Sequence, residues 1–279
     1  MAREPILMAV CGKKGVGKSF KTMEYLRNYV NKSPRRKVLI FDVNNEYSDK
    51  SKFPDIRAIA LKDIERYNMS KIPEIRRVAP FFDDGRKMTL DDMASVLLWL
   101  VRNFYNGLLL IEDINKYVGD NMPGDLIGAI CTNRHQGVDI ILHYQSIGRI
   151  TPKVWQNINC LRMHRNTDSV DRHKMKFPDK HQYLKIAEII IKRQYYNGNQ
   201  RYYLFVDFDN EKVYTGLDEG EIKEAITEYI SEEYATVIAP YANKRDGGGN
   251  LVNTKEQAFV NAKAEIYDLY FSNTSTTAA

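Results

Sequence analysis

Near the start of the chain, Gly12-Lys13-Lys14-Gly15-Val16-Gly17-Lys18-Ser19 constrains the fold more tightly than any other stretch. It follows a short apolar run at 6–10 and opens a segment whose apolar residues Phe20, Met23, Leu26 and Val30 recur at helical spacing. A GxxxxGKS between a strand and a helix is a phosphate-binding loop. Its glycines let backbone N–H groups turn toward phosphate oxygens, and the helix N-terminus adds partial positive charge. The spacing predicts that Gly12, Lys13, Lys14, Gly15, Val16, Gly17, Lys18, Ser19 and Phe20 line an ATP site, with Lys18 reaching the β- and γ-phosphates and Ser19 ligating Mg2+.

A strand that enters such a loop belongs to a parallel sheet, and the rest of the chain agrees. Apolar runs at 38–41, 108–111, 140–142 and 160–163 alternate with helical patterns, as central parallel strands do. The expected fold is α/β: an ASCE/RecA-like P-loop NTPase with a parallel sheet flanked by helices and a small helical C-terminal tail. Between the second and third runs, Thr89 caps a helix with Asp92 three residues on. Met93, Leu97, Leu100, Val101 and Phe104 form its apolar face, and Gly107 is its expected stop. Farther on, the pattern predicts a helix at 182–196, a hairpin within 201–216 and an acidic amphipathic helix at 220–234. The expected organisation is an ATPase domain at 1–240, a flexible linker at 241–254, and a C-terminal helix with a disordered tail at 255–279.

Composition sets the outer bounds. A chain of 279 residues can bury one substantial core and a small appendage, so a motor of this size has to work as an oligomer. No apolar run approaches the ~20 residues needed to cross a bilayer. The apolar start runs straight into the glycine-rich loop, which reads as a buried strand rather than a signal peptide, and a cytoplasmic location is expected. Cys11, Cys131 and Cys160 lack CxxC spacing and are expected to be reduced and buried. A net charge of +5 is compatible with a nucleic-acid partner without requiring one.

Hydrolysis needs a carboxylate near the metal and a group that orients or deprotonates water. The run Leu108-Leu109-Leu110-Ile111 delivers Glu112 and Asp113 to a strand's C-terminal end, in the manner of a Walker B motif. Glu112 is assigned to the magnesium shell and Asp113 to the attacking water. The usual order is Asp then Glu, so the exchanged assignment stays open, as does a simple helix-capping role for one of the pair.

Three further segments resemble the HerA/FtsK superfamily of DNA translocases, above all the compact genome-packaging ATPases of double-stranded-DNA viruses. Asp42-Val43-Asn44-Asn45-Glu46-Tyr47 is similar to the family's D-x-x-x-E-Y signature. Arg134-His135-Gln136-Gly137 is similar to its arginine-bearing segment, and Gln145 falls at the place of its polar sensor. The resemblance covers roughly residues 6–165. It implies an ATP-driven double-stranded DNA translocase working as a homo-oligomeric ring, a pentamer or hexamer, that packages a viral genome in the host cytoplasm and docks on a portal or other capsid component. It also implies that Arg134 completes the neighbouring subunit's active site, with Arg102 and Arg149 as the weaker candidates, and that Gln145 reports the γ-phosphate. Helix capping by Arg134 and a plain loop position for Gln145 are the bland counterparts.

A ParA/MinD-type nucleotide switch is the alternative, because Lys13 matches that family's additional signature lysine. Lys14 in place of its glycine, the acidic pair and the succession from Arg134 to Gln145 count against it. For DNA contact, the basic stretch holding Lys153, Arg162, His164, Arg165, Arg172, His173, Lys174 and Lys176 is one candidate surface. The others are the loop bearing Arg86 and Lys87 and the pair Lys244-Arg245.

Overall fold

A strand buried on both faces has no polar side to present, which is why the apolar runs had to become the centre of a sheet. The computed structural model describes residues 4–32, 37–118 and 123–272, with the side chains of Asn133 and Arg134 outside that set. It divides into two compact units, Met1–Arg162 with Asn166–Asp168, and Met163–Arg165 with Ser169–Ala279.

In chain order the first unit contains β1 (Leu7–Cys11), α1 (Lys18–Asn31), β2 (Val38–Phe41), β3 (Ile56–Ala58), α2 (Ile64–Met69), β4 (Ile75–Val78), α3 (Leu90–Asn103), β5 (Gly107–Ile111), α4 (Gly124–Cys131), β6 (Val138–Tyr144) and α5 (Pro152–Asn157). The division between the units falls within β7 (Cys160–His164). The strands are ordered β3-β4-β2-β5-β6-β1-β7. Every registered pair in this part is parallel, from Ile56 opposite Ile75 at one edge to Leu7 opposite Ile140. β1, β2, β5 and β6 are buried throughout. Their common direction brings the ends of β1, β2, β5 and β6 to one edge, where α/β sheets bind ligands. Because β6 lies between β1 and β5, the residue that follows it stands between the glycine-rich loop and the acidic pair.

Two strands were not anticipated. β3 and β4 are short, and the half-exposed Arg76 and Arg77 interrupt the apolar pattern that marks the central strands. Gly107 also has a different role from the one expected. α3 ends at Asn103, where Phe104 turns to extended backbone, and Gly107 instead begins β5. There a Cβ would lie 2.7 Å from both the Lys37 carbonyl oxygen and the Phe104 ring, so only glycine fits the approach. The start of α3 is as the sequence indicated, with Thr89 and Asp92 forming a reciprocal capping box. Cys11 and Cys160 are buried, whereas Cys131 is half-exposed, because it ends α4 rather than lying inside a strand.

The second unit holds α6 (His181–Tyr196), an antiparallel hairpin of β8 (Tyr203–Asp207) and β9 (Lys212–Tyr214), α7 (Glu219–Glu232), α8 (Tyr234–Ala242) and α9 (Lys255–Tyr270). α6 is buried on all sides between Tyr183 and Ile191. α9 packs against α7 and α8 through Ala258, Ala262 and Ile266, where small residues allow close approach. The intervening turn is closed by Asp246, which accepts from the N–H groups of Gly248 and Asn250 at 2.9 Å each. The polar tail 273–279 lies outside the described residues. Among the described residues, no helix is long and apolar enough to cross a membrane.

Candidate active site

The loop after β1 turns on three glycines with positive φ, Gly12 (153°), Gly15 (86°) and Gly17 (84°), the last of which precedes the first residue of α1. Around Gly15 there is open space within 4 Å of where a Cβ would stand. Lys18 folds back over the loop, and its ammonium donates to the carbonyl oxygens of Gly12 at 2.5 Å and Lys13 at 3.0 Å. Burial pushes the pKa of this lysine down, against the pull of Asp113 and smaller pulls from Glu112 and Glu46. The result is a cation held by neutral acceptors at a helix N-terminus, an anion site.

The loop after β2 is shaped by its own first residue. Asp42, fully buried, accepts from the N–H groups of Glu46 at 2.8 Å and Tyr47 at 3.1 Å. Arg77 ties the turn together, with one nitrogen on both Asp42 (3.0 Å) and Asn45 (2.7 Å), and Asn45 sits in the left-handed region at φ 56°. Tyr47 is buried and packs on Phe53, with ring centroids 5.0 Å apart. Between these anchors, Glu46 stays exposed. Desolvation and the neighbouring Glu112 push its carboxyl up from the ordinary range.

The acidic pair after β5 splits into two environments. Glu112 is 4% exposed. Tyr47 donates to its Oε1, and its Oε2 lies 3.0 Å from His143 Nδ1. The other ring nitrogen of His143 lies 2.8 Å from Thr22 Oγ1, on α1. These contacts outweigh desolvation and hold the Glu112 carboxyl below its ordinary value. Arg162 completes the chain by donating to Thr22 Oγ1 and to the Lys18 carbonyl oxygen. Asp113 is half-buried, adopts φ 41° and accepts from Asn44 Nδ2 at 2.7 Å, while Asn44 Oδ1 takes Lys116 at 2.7 Å. Asp113 precedes a short helical turn, yet its side chain makes no capping bond, so capping does not account for it.

Gln145 is exposed, directly after β6. The next turn is braced from below, since Ile147 donates its N–H to Asn166 Oδ1 at 2.9 Å and Asn166 reaches Cys11 Sγ at 3.5 Å. Arg134 lies in the short helical turn Asn133–Gln136 after α4, and its side chain is outside the described residues. Arg102 is exposed and 3.7 Å from Asp125, and Arg149 is exposed. In the basic stretch, Arg162 and His164 are buried and cannot face a DNA backbone. Lys153, Arg172 and Lys174 are exposed.

The sequence reading did not single out Thr22 or His143, and it named Tyr47 only within the family-like segment and Arg162 only as a candidate for DNA contact. Of Thr22 and His143, His143 alone left a signal, as a lone polar residue near the end of an apolar strand.

Magnesium bound with a nucleotide commonly takes few protein ligands and several phosphate oxygens. The residues fit that pattern. Ser19, at the start of α1, has a hydroxyl whose lone pairs can be offered to a cation. No group of three or more His, Cys, Asp or Glu among the described residues is arranged to cage a metal.

Comparison with known proteins agrees with this arrangement. Residues 8–97 match the family model of the central domain of the helicase HerA. The genome packaging NTPase B204 from Sulfolobus turreted icosahedral virus 2, in complex with AMP, has 17% identity and a TM-score of 0.52 over 76% of this chain and 97% of its own. Its complex with ATP-gammaS gives 16% and 0.50, covering 75% and 95%. The DNA-packaging ATPase from Sulfolobus Turreted Icosahedral Virus gives 17% and 0.50, covering 76% and 97%. At such identities the likeness is one of fold. None of the curated proteins matches the chain.

Proposed function

We propose that this chain, a HerA-type P-loop ATPase whose fold resembles viral packaging ATPases, hydrolyses ATP with magnesium and couples hydrolysis to translocation of double-stranded DNA. The observation that carries the reading is the edge of the sheet itself. A glycine-rich loop whose lysine rests on loop carbonyls shares that edge with Glu46 after β2, Glu112 and Asp113 after β5, and the exposed Gln145 after β6. The relatives are described as genome packaging NTPases, and by analogy we read this chain as a genome-packaging motor in the host cytoplasm.

In this reading the backbone of residues 12–20 cradles the phosphates, Lys18 moves from its loop carbonyls to the β- and γ-phosphates, and Ser19 holds magnesium. Magnesium, when bound, neutralises phosphate charge as the γ-phosphoryl leaves. Asp113 orients the attacking water, Glu112 supplies negative charge beneath the metal site, and Gln145 reports the γ-phosphate. Arg134 reaches the neighbouring subunit's nucleotide in a pentameric or hexameric ring, where such a cation is worth ~10³–10⁵ in rate. A portal or other capsid component is the expected docking partner.

The decisive experiment is displacement of a triplex-forming strand from duplex DNA during ATP hydrolysis, with the ATPase rate followed at rising salt. A motor strips the third strand, is stimulated by duplex DNA, and loses that stimulation steeply with salt as phosphate contacts release counterions. ATP-dependent DNA binding that leaves the third strand in place favours a ParA/MinD-like switch.

A further inference from the structure

β6 is buried along its whole length, where an apolar side chain packs at no polar cost, yet it carries His143 near its end. His143 stands opposite Val10 on β1, two positions before the glycine-rich loop begins. Its neighbour Leu142 stands opposite Ile111 on β5, the residue before Glu112. The register of the sheet therefore sets an imidazole between the phosphate loop and the acidic pair.

Both ring nitrogens are used. Nδ1 lies 3.0 Å from Glu112 Oε2, and Nε2 lies 2.8 Å from Oγ1 of Thr22, which is four residues after Lys18 on α1. Arg162 donates to Thr22 Oγ1 and, at 3.2 Å, to the carbonyl oxygen of Lys18 itself. One arrangement of protons satisfies the whole chain, because a guanidinium can only donate and an ionised carboxylate can only accept. Thr22 accepts from Arg162 and donates its own hydroxyl proton to Nε2, while Nδ1–H donates to Glu112. Tyr47 donates to the other carboxylate oxygen. The bonds from Arg162 to Glu112 then all run in one direction, an order in which each strengthens the next.

Resting on the ATPase reading above, we infer that His143 is a positioning residue for hydrolysis, which locks the acidic pair to the helix that carries Lys18 and Ser19. It acts through Thr22 on one side and Glu112 on the other. The carboxylates and the phosphate loop arrive on different strands, and the imidazole fixes their separation at the side chains. A shift of ~1 Å between reacting groups can cost ~10²-fold in rate, so the lock bears on turnover rather than on nucleotide binding.

The test uses the full-length chain with Thr22→Val, Thr22→Ser, His143→Leu and the double variant Thr22→Val/His143→Leu. It reads kcat and KM for ATP, affinity for a fluorescent non-hydrolysable ATP analogue with magnesium, and melting temperature, with every rate taken below the melting transition. Valine keeps the shape of threonine without its hydroxyl; serine keeps the hydroxyl without the methyl group. Thr22→Val is expected to lower kcat ~10–10²-fold, with KM and analogue affinity within ~3-fold of wild type. Thr22→Ser should recover most of that rate. His143→Leu should match Thr22→Val, and the double variant should lose little more than either alone, because groups acting through one another are not additive.

The opposite order, Thr22→Val near wild type and Thr22→Ser slow, would make the contact one of packing and overturns the inference. So does a kcat of Thr22→Val within ~3-fold of wild type, an affinity loss as large as the loss in kcat, or full extra losses in the double variant. Should His143→Leu fail to fold, the order of the two Thr22 variants still decides. All of these outcomes leave the ATPase reading intact, whereas a wild-type chain that neither binds nor hydrolyses ATP overturns both.

Discussion

Lys18 and Lys185 are both drawn partly out of water, yet their surroundings drive them to opposite states. Lys18 spends its hydrogen bonds on two neutral carbonyls of its own loop, and burial lowers its pKa. Lys185, on α6 of the second unit, meets Asp171 at 2.6 Å, Glu232 at 3.2 Å and Glu188 at 3.8 Å. Burial pulls its pKa down too, but the hydrogen bonds it donates to Asp171 and Glu232 outweigh it, and the net shift is upward. Neutral acceptors leave a cation available for an arriving anion, whereas carboxylates fulfil the charge within the fold. Lys18 should therefore matter to the ligand, and Lys185 to stability.

Replacing each lysine tests the contrast. Lys18→Ala is expected to lower ATP turnover by at least ~10²-fold, since it removes a charge aimed where the transition state develops its own. Its melting temperature should stay near that of wild type. Wild-type phosphate release from this variant, or a large loss of stability, would erase the distinction. Lys185→Met should reverse the pattern. It strips Asp171 and Glu232 of their lysine, leaves the 3% exposed Glu188 with Lys192 alone at 3.3 Å, and costs about 2 kcal/mol in urea unfolding, while nucleotide affinity stays within about twofold. Equal stability with lost nucleotide binding would show that Lys185 belongs to the ligand's machinery after all.

This contrast also explains what could be read in advance. The glycine-rich loop was legible because its job imposes local chemistry: glycines where φ is positive and a lysine and serine at fixed spacing before a helix. The central strands were legible because burial on two faces leaves an unbroken apolar run. β3, β4 and α8 were not, being short and carrying polar or exposed positions that blur any period. The run of contacts from Tyr47 through Glu112 and His143 to Thr22 joins residues as far as 121 positions apart, and only strand order brings them together. Even the family-like segment around Glu46 gave no hint that Asp42 and Arg77 would fold its turn back on itself.

The smallest expected effect sharpens the comparison from the side of the acids around Lys185. Asp171 accepts from His181 at 2.9 Å as well as from Lys185, and these partners outweigh desolvation and hold its carboxyl below the usual range. A carboxyl depressed by folding binds fewer protons in the native state than in the unfolded chain at the same acidic pH. Its contribution is therefore complete above the unfolded value of about 3.9 and is lost as pH falls through the lower folded value. The side chain is 43% exposed, so solvent screens much of the interaction, and Asp171→Asn should cost only about 1 kcal/mol at neutral pH. Urea midpoints of wild type and Asp171→Asn should differ at neutral pH and converge as pH falls through the folded value, below which both carry an uncharged side chain at this position. A gap that persists unchanged in acid would mean that the aspartate stabilises the second unit through shape rather than charge. Lys185 would then be neutralised mainly by Glu232 and Glu188.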